Sequence, residues 1–109
     1  MKLELTVLPD LRMDLPAPDV SAAVDAASLL ADRNRAGILR LLAAGPHCVC
    51  EMAATLGQAQ NNISNHLARL RDAGLVRPSR LGSDSRRVYY ERDEAACAAA
   101  VTALREILG

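Results

Sequence analysis

The residues best equipped for chemistry are Cys48 and Cys50, separated by one valine in the run His47-Cys48-Val49-Cys50. Two thiolates can share one soft ion, and sulfur ligands select thiophilic metals and metalloids over magnesium or calcium. Geometry sets a condition on that sharing. On a regular helix two such positions point about 200° apart, so a shared ion requires Cys48 to lie in non-helical backbone at the start of the helix that carries Cys50. Pro46 and His47 immediately upstream favour such a start. The alternative is that both cysteines are small core residues. His47 is a further candidate donor, or else a surface or capping residue. Cys97, the third cysteine, shares a helical stripe with Val101 and Leu104. It reads as a small packing residue, a third thiolate, or a redox partner of the other two. An odd number of cysteines in a short chain with no export-like start argues against a disulfide framework and predicts free thiols.

A second set of residues lies on one predicted helix, 60–73, where Ile63, Leu67 and Leu70 repeat at helical spacing and Gly74 follows as a stop. With that stripe buried, Asn61, Ser64, Asn65 and Ala68 face outward, flanked by Arg69 and Arg71; Gln60 and Asn62 sit at its first turn. Asn and Gln place a donor and an acceptor in one plane, the pattern that matches the N7 and N6 edge of adenine in the major groove, while arginines hold phosphates. The plain alternative is a solvated helix face. Charge favours the nucleic-acid reading: residues 57–92 carry seven Arg against three acids, a local +4 in a chain of net charge zero. Tyr89 and Tyr90 are the only aromatics, so stacking platforms for single strands are missing and a duplex fits better.

The elements that must position these residues follow from the order of the chain. In 109 residues there is room for one modest core, and it must be built from Leu, Ala, Val and Ile. Leu3, Leu5 and Val7 alternate with polar residues as a short strand would. Residues 1–19, with Pro9, Pro16 and Pro18, read as an extended arm, and the folded domain is expected over 20–109. Helices are expected over about 20–31, 34–44, 49–56, 60–73 and 93–108. The turn between the third and fourth has helix-turn-helix length. Strand-like segments 75–80 and 87–91 flank Gly82-Ser83-Asp84-Ser85 as a hairpin wing, with Pro78 at an edge and Arg86 and Arg87 at or beside the tip, available to phosphates or the minor groove. The expected class is mainly α with a small β-hairpin wing, in the order α-α-α-α-β-β-α. No segment approaches membrane-spanning length, and a cytoplasmic protein is expected. No nucleophile, base and orienter pattern or phosphate-binding glycine loop is visible, so the chain does not read as an enzyme.

Taken together, Ala-Asp-Arg-Asn-Arg-Ala-Gly-Ile-Leu-Arg-Leu-Leu, Cys-Val-Cys-Glu-Met-Ala, Asn-Ile-Ser-Asn-His-Leu-Ala-Arg-Leu-Arg-Asp-Ala-Gly-Leu-Val and Arg-Arg-Val-Tyr-Tyr resemble the ArsR/SmtB family of metal-responsive repressors over about residues 20 to 108. The resemblance implies a homodimeric winged helix-turn-helix that represses its own operon by binding double-stranded operator DNA until a metal or metalloid binds, with no constitutive cofactor. Cys48-Val49-Cys50 matches the first two cysteines of the arsenite sensors' Cys-Val-Cys-Asp-Leu-Cys motif, and Ala53 stands at the third. The implied inducers are trivalent arsenic or antimony, with cadmium and lead as further thiophilic candidates. The family's zinc site on the last helix needs an acid and several histidines, of which only Asp93 is present.

Three readings follow. A metalloid-responsive repressor predicts release of operator by arsenite or antimonite. A thiol redox or persulfide sensor predicts release by oxidant, with Cys97 bridging to Cys48 or Cys50. A winged-helix interaction module without sensing predicts weak, salt-sensitive, sequence-independent binding.

Overall fold

The computed structural model describes residues 15–80 and 86–109. The expected strand near the N-terminus, most of the 1–19 arm and the 82–85 wing tip lie outside the described residues.

Among the described residues five helices and three short strands are formed: α1 (Ser21–Leu30), α2 (Arg33–Leu42), β1 (His47–Cys48), α3 (Val49–Leu56), α4 (Gln60–Asp72), β2 (Val76–Pro78), β3 (Tyr89–Arg92) and α5 (Glu94–Leu108). Each helix begins or ends where local chemistry dictates. The Asp32 carboxylate caps α2 by accepting from the backbone N–H of Asn34 (2.8 Å) and Arg35 (3.1 Å). Asp93 caps α5 by accepting from Ala96 N–H at 2.9 Å. Helix α3 stops at Gly57, whose φ of 67° is left-handed backbone that glycine enters without a Cβ penalty.

The core is aliphatic, as a chain without Phe or Trp requires. Ile38 of α2, Met52 of α3, Ile63 and Leu70 of α4 and Val76 of β2 are fully buried around one centre. Helices α2 and α3 approach so closely at Gly37 that a Cβ there would lie 2.8 Å from Leu56 Cδ2. Helix α1 buries Ala23 and Ala26 and packs chiefly on α5.

One correction concerns the sheet. The expected two-stranded hairpin is a three-stranded antiparallel sheet in the order β1-β3-β2. Besides the β2–β3 pairs Val76↔Arg92, Arg77↔Glu91 and Pro78↔Tyr90, the missed strand β1 pairs His47↔Tyr90 and Cys48↔Tyr89. Two residues are too few to show an alternating pattern. Proline at 78 stands on an edge strand, as its missing N–H requires.

Candidate functional site

Cys48 ends β1 in extended backbone (φ −87°, ψ 165°) and is the N-cap of α3, so the non-helical start demanded by a shared ligand is present. Its thiol is buried, 2% exposed, while Cys50 in the first turn of α3 is half-buried. The change from strand to helix swings the two side chains together: the Cα atoms are 5.4 Å apart and the sulfurs are joined. The expectation of three free thiols is therefore corrected, since Cys97 alone is free among the described residues. A link across one intervening residue closes too short a loop to act as a fold-stabilising staple.

Cys48 has a second task. Its Sγ accepts from Glu51 N–H at 3.3 Å while Glu51 Oε1 accepts from Cys48 N–H at 2.9 Å, a reciprocal capping box with sulfur in the place usually held by a hydroxyl. The sulfur that would bind a ligand is thus the acceptor that holds the first turn of α3. Ala53, at the position of the arsenite sensors' third cysteine, is buried in the core.

A cavity of about 500 Å³ opens on the sulfur pair. Its walls include Cys48 and Cys50, Gln60 at the start of α4, Arg86 and Arg87 before β3, and Tyr90 on it. The two further candidate donors are not brought to the pair. His47 Nδ1 bonds the Gly45 carbonyl oxygen at 2.7 Å and so closes the preceding turn. Cys97 lines a separate cavity of about 350 Å³ between α1, α2 and α5, with Leu30, Leu39, Arg92 and Leu104; the two cavities share no lining residue. Burial pushes the Cys97 thiol up, with the neighbouring Arg92 guanidinium opposing it. No group of three His, Cys, Asp or Glu side chains able to hold an ion occurs among the described residues.

On α4 the stripe Ile63, Leu67 and Leu70 is buried, and Gln60, Asn61, Ser64, Asn65, Arg69 and Arg71 are exposed. Asn62 differs: it is half-buried and its Nδ2 donates to Gln58 Oε1 at 2.8 Å, tying the turn that leads into α4. Arg86 and Arg87 are exposed beside the cysteine cavity, which places them close to the sulfur pair as well as near the wing.

Sequence reasoning missed the residue that fixes α4 in place. Arg35, only 9% exposed, donates from Nε to the Leu29 carbonyl (2.8 Å) and from Nη2 to the Ser28 carbonyl (3.3 Å) at the end of α1, and its Nη1 meets His66 Nδ1 on α4 at 3.3 Å. A guanidinium only donates, so Nδ1 accepts and the imidazole proton sits on Nε2, 3.8 Å from Asp32 Oδ1. The Arg35 backbone N–H, the strongest influence on Asp32, holds its carboxyl below the usual range. A buried arginine in a polar helix start carries no pattern that separates it from a surface one. His66 is itself half-buried against this network. Arg77 also escaped notice: it spans Glu91 and Asp93, each at 2.9 Å, and braces β2 against β3 and the start of α5.

Helices α3 and α4 joined by a short turn, followed by an antiparallel sheet, define a winged helix-turn-helix protein. The chain belongs to the ArsR family of bacterial regulatory proteins, whose family model matches residues 32–77. It is similar to the arsenical resistance operon repressor of Escherichia coli (strain K12), 49% identical over 49 residues that make up 44% of this chain and 42% of that protein. A crystal structure of a possible transcriptional regulator for arsenical resistance matches with a TM-score of 0.62 at 32% identity, covering 77% of this chain and 80% of that one. The AntR antimony-specific transcriptional repressor matches with a TM-score of 0.62 at 28% identity over 91% of this chain and 90% of that one. The chain spans about half the length of the curated relatives it matches. No helix among the described residues is long and apolar enough to cross a membrane.

Proposed function

We propose that the chain is a cytoplasmic, homodimeric transcriptional repressor that binds double-stranded operator DNA and releases it when trivalent arsenic or antimony is captured by Cys48 and Cys50. The observation that carries this reading is the juxtaposition of the two sulfurs at the start of α3, in one cavity with the first residue of α4 and the wing arginines. On the DNA side, Gln60, Asn61, Ser64 and Asn65 face base edges, while Arg69, Arg71, Arg86 and Arg87 take phosphates; Asn62 orders the turn. The names of the arsenic and antimony regulators to which the chain is similar support the choice of inducer; cadmium and lead are further candidates on softness alone.

Release follows from the double use of Cys48. A ligand that claims its sulfur competes with the Glu51 N–H for the same lone pairs, so the first turn of α3 loosens. Helix α3 packs on α4, and a shift there moves residues 60–65 out of register with the groove. Linkage then requires the ligand to bind the free protein more tightly than the DNA complex; a coupling of about 1–3 kcal/mol weakens operator binding roughly 5- to 150-fold.

The test is a mobility-shift titration on the DNA upstream of its own operon with arsenite, antimonite, cadmium, zinc and peroxide, using reduced protein. Release by arsenite or antimonite that is lost in Cys50→Ser supports the reading; release by peroxide alone would transfer it to the second one. That second reading, a thiol redox sensor, is favoured by one observation, the Cys48–Cys50 pairing itself. It runs within the pair, because Cys97 faces another cavity.

A further inference from the structure

We propose that the cavity beside the cysteine pair takes a trivalent arsenical already bonded to a small carboxylate-bearing thiol, whose sulfur is the third ligand and whose carboxylate is held by Arg87. The proposal rests on the dithiolate reading above and specifies the ligand of that site.

Three observations lead to it. Trivalent arsenic forms three bonds, and the protein offers two sulfurs; no third donor group stands with them among the described residues. The cavity has a volume of about 500 Å³, whereas one water occupies roughly 30 Å³ of liquid, so an inorganic hydroxyl as third ligand leaves most of the space unused. Among the described residues the walls are positive: Arg86 and Arg87 line the cavity, Gln60 and Tyr90 add neutral polar groups, and none of the described lining residues is acidic. Guanidinium groups bind carboxylates by paired, charge-assisted hydrogen bonds. An anionic third ligand therefore fits the size and the charge together.

The chemistry balances without oxidation of arsenic. Arsenous acid condenses with a thiol RSH to RS–As(OH)2 and water. Exchange of both hydroxyls onto the Cys48 and Cys50 thiols forms two As–S bonds and releases two waters. Where the cysteines are joined to each other, two further RSH reduce them and leave as RSSR. The consequence for DNA is direct: a guanidinium engaged by the adduct's carboxylate no longer offers those donors to a phosphate, so ligand and DNA compete for Arg87 as well as for the conformation of α3.

The test uses the reduced full chain with arsenite and one of three thiols: mercaptosuccinate (anionic), 2-mercaptoethanol (neutral) or cysteamine (cationic). Native mass spectrometry identifies the complex, and equilibrium dialysis with arsenic quantification gives affinity. The expected complex carries one arsenic and one exogenous thiol, with mercaptosuccinate favoured over cysteamine by about tenfold or more. Arg87 is exposed, so Arg87→Ala is expected to fold, and it cancels intrinsic differences between the thiols: the preference should collapse in that variant and survive in Arg87→Lys. The same preference in the parent and in Arg87→Ala, or a complex that holds arsenic without an exogenous thiol, overturns the proposal and leaves the dithiolate switch standing. Failure to bind arsenic with any thiol, or binding unchanged in a Cys48→Ser, Cys50→Ser double variant, overturns both.

Discussion

Cys48 caps α3 and, in the proposed function, also ligates the inducer, two roles that substitution can separate. Serine is a better N-cap acceptor than cysteine but a poor ligand for a soft ion. Cys48→Ser is therefore expected to keep α3 intact and operator binding unchanged while abolishing release by arsenite. Cys48→Ala, which removes the acceptor paired with Glu51 N–H, should cost about 1 kcal/mol of stability as well. Thermal unfolding in parallel with mobility shifts checks both; release that survives Cys48→Ser would remove this sulfur from the sensor. The condition on Cys48 was legible in the sequence, because a spacing of two forbids convergence within a helix and Pro46 precedes it. Its pairing with Tyr89 and the joining of its sulfur to Cys50 were not, because both depend on β1, which is set by the partner strand. On α4, Asn65 is exposed on the face opposite the buried stripe. Asn65→Ala is expected to weaken operator binding by about 1–3 kcal/mol while random-sequence DNA is bound as before. An equal loss on both would assign Asn65 to phosphate contact or to folding.

Between elements, the network that holds α4 is centred on Arg35. One guanidinium ties the last carbonyls of α1 to the side chain of His66 on α4, and the same residue's backbone N–H is capped by Asp32. Hydrogen bonds from a charged group contribute about 1.5–3 kcal/mol each when the partner would otherwise be left buried, less where water can enter. Arg35→Met is expected to lower stability by about 2–3 kcal/mol, read as a shift in the urea midpoint at unchanged slope. A change below 0.5 kcal/mol, the scale of surface substitutions, would show the network to be incidental. The helices themselves were readable because aliphatic stripes and stop glycines define them, as at Ile63, Leu67, Leu70 and Gly74. Arg35 was not, because an arginine among Asp32, Arg33 and Asn34 has the composition of a solvated face, and its burial is decided only when α1 and α4 close over it.

At the scale of the whole molecule, apolar surface is left over. Val24 (54% exposed) and Leu30 (39%) on α1 and Val101 (46%), Ile107 (51%) and Leu108 (83%) on α5 belong to the two helices that pack on each other, away from α4. Large apolar side chains left open on paired helices suit an interface, and a twofold partner covering them would set two copies of α4 to read a palindrome. Placing a charge there should separate assembly from folding. Ile107→Glu is expected to give a monomer in sedimentation at micromolar concentration, with helix content retained because the side chain is half in solvent already. Operator affinity should fall by orders of magnitude, since each half-site then binds alone and the advantage of linked binding is lost. A monomeric variant that still bound operator as the parent does would show that one winged domain suffices for recognition. A variant still dimeric would move the interface off α5.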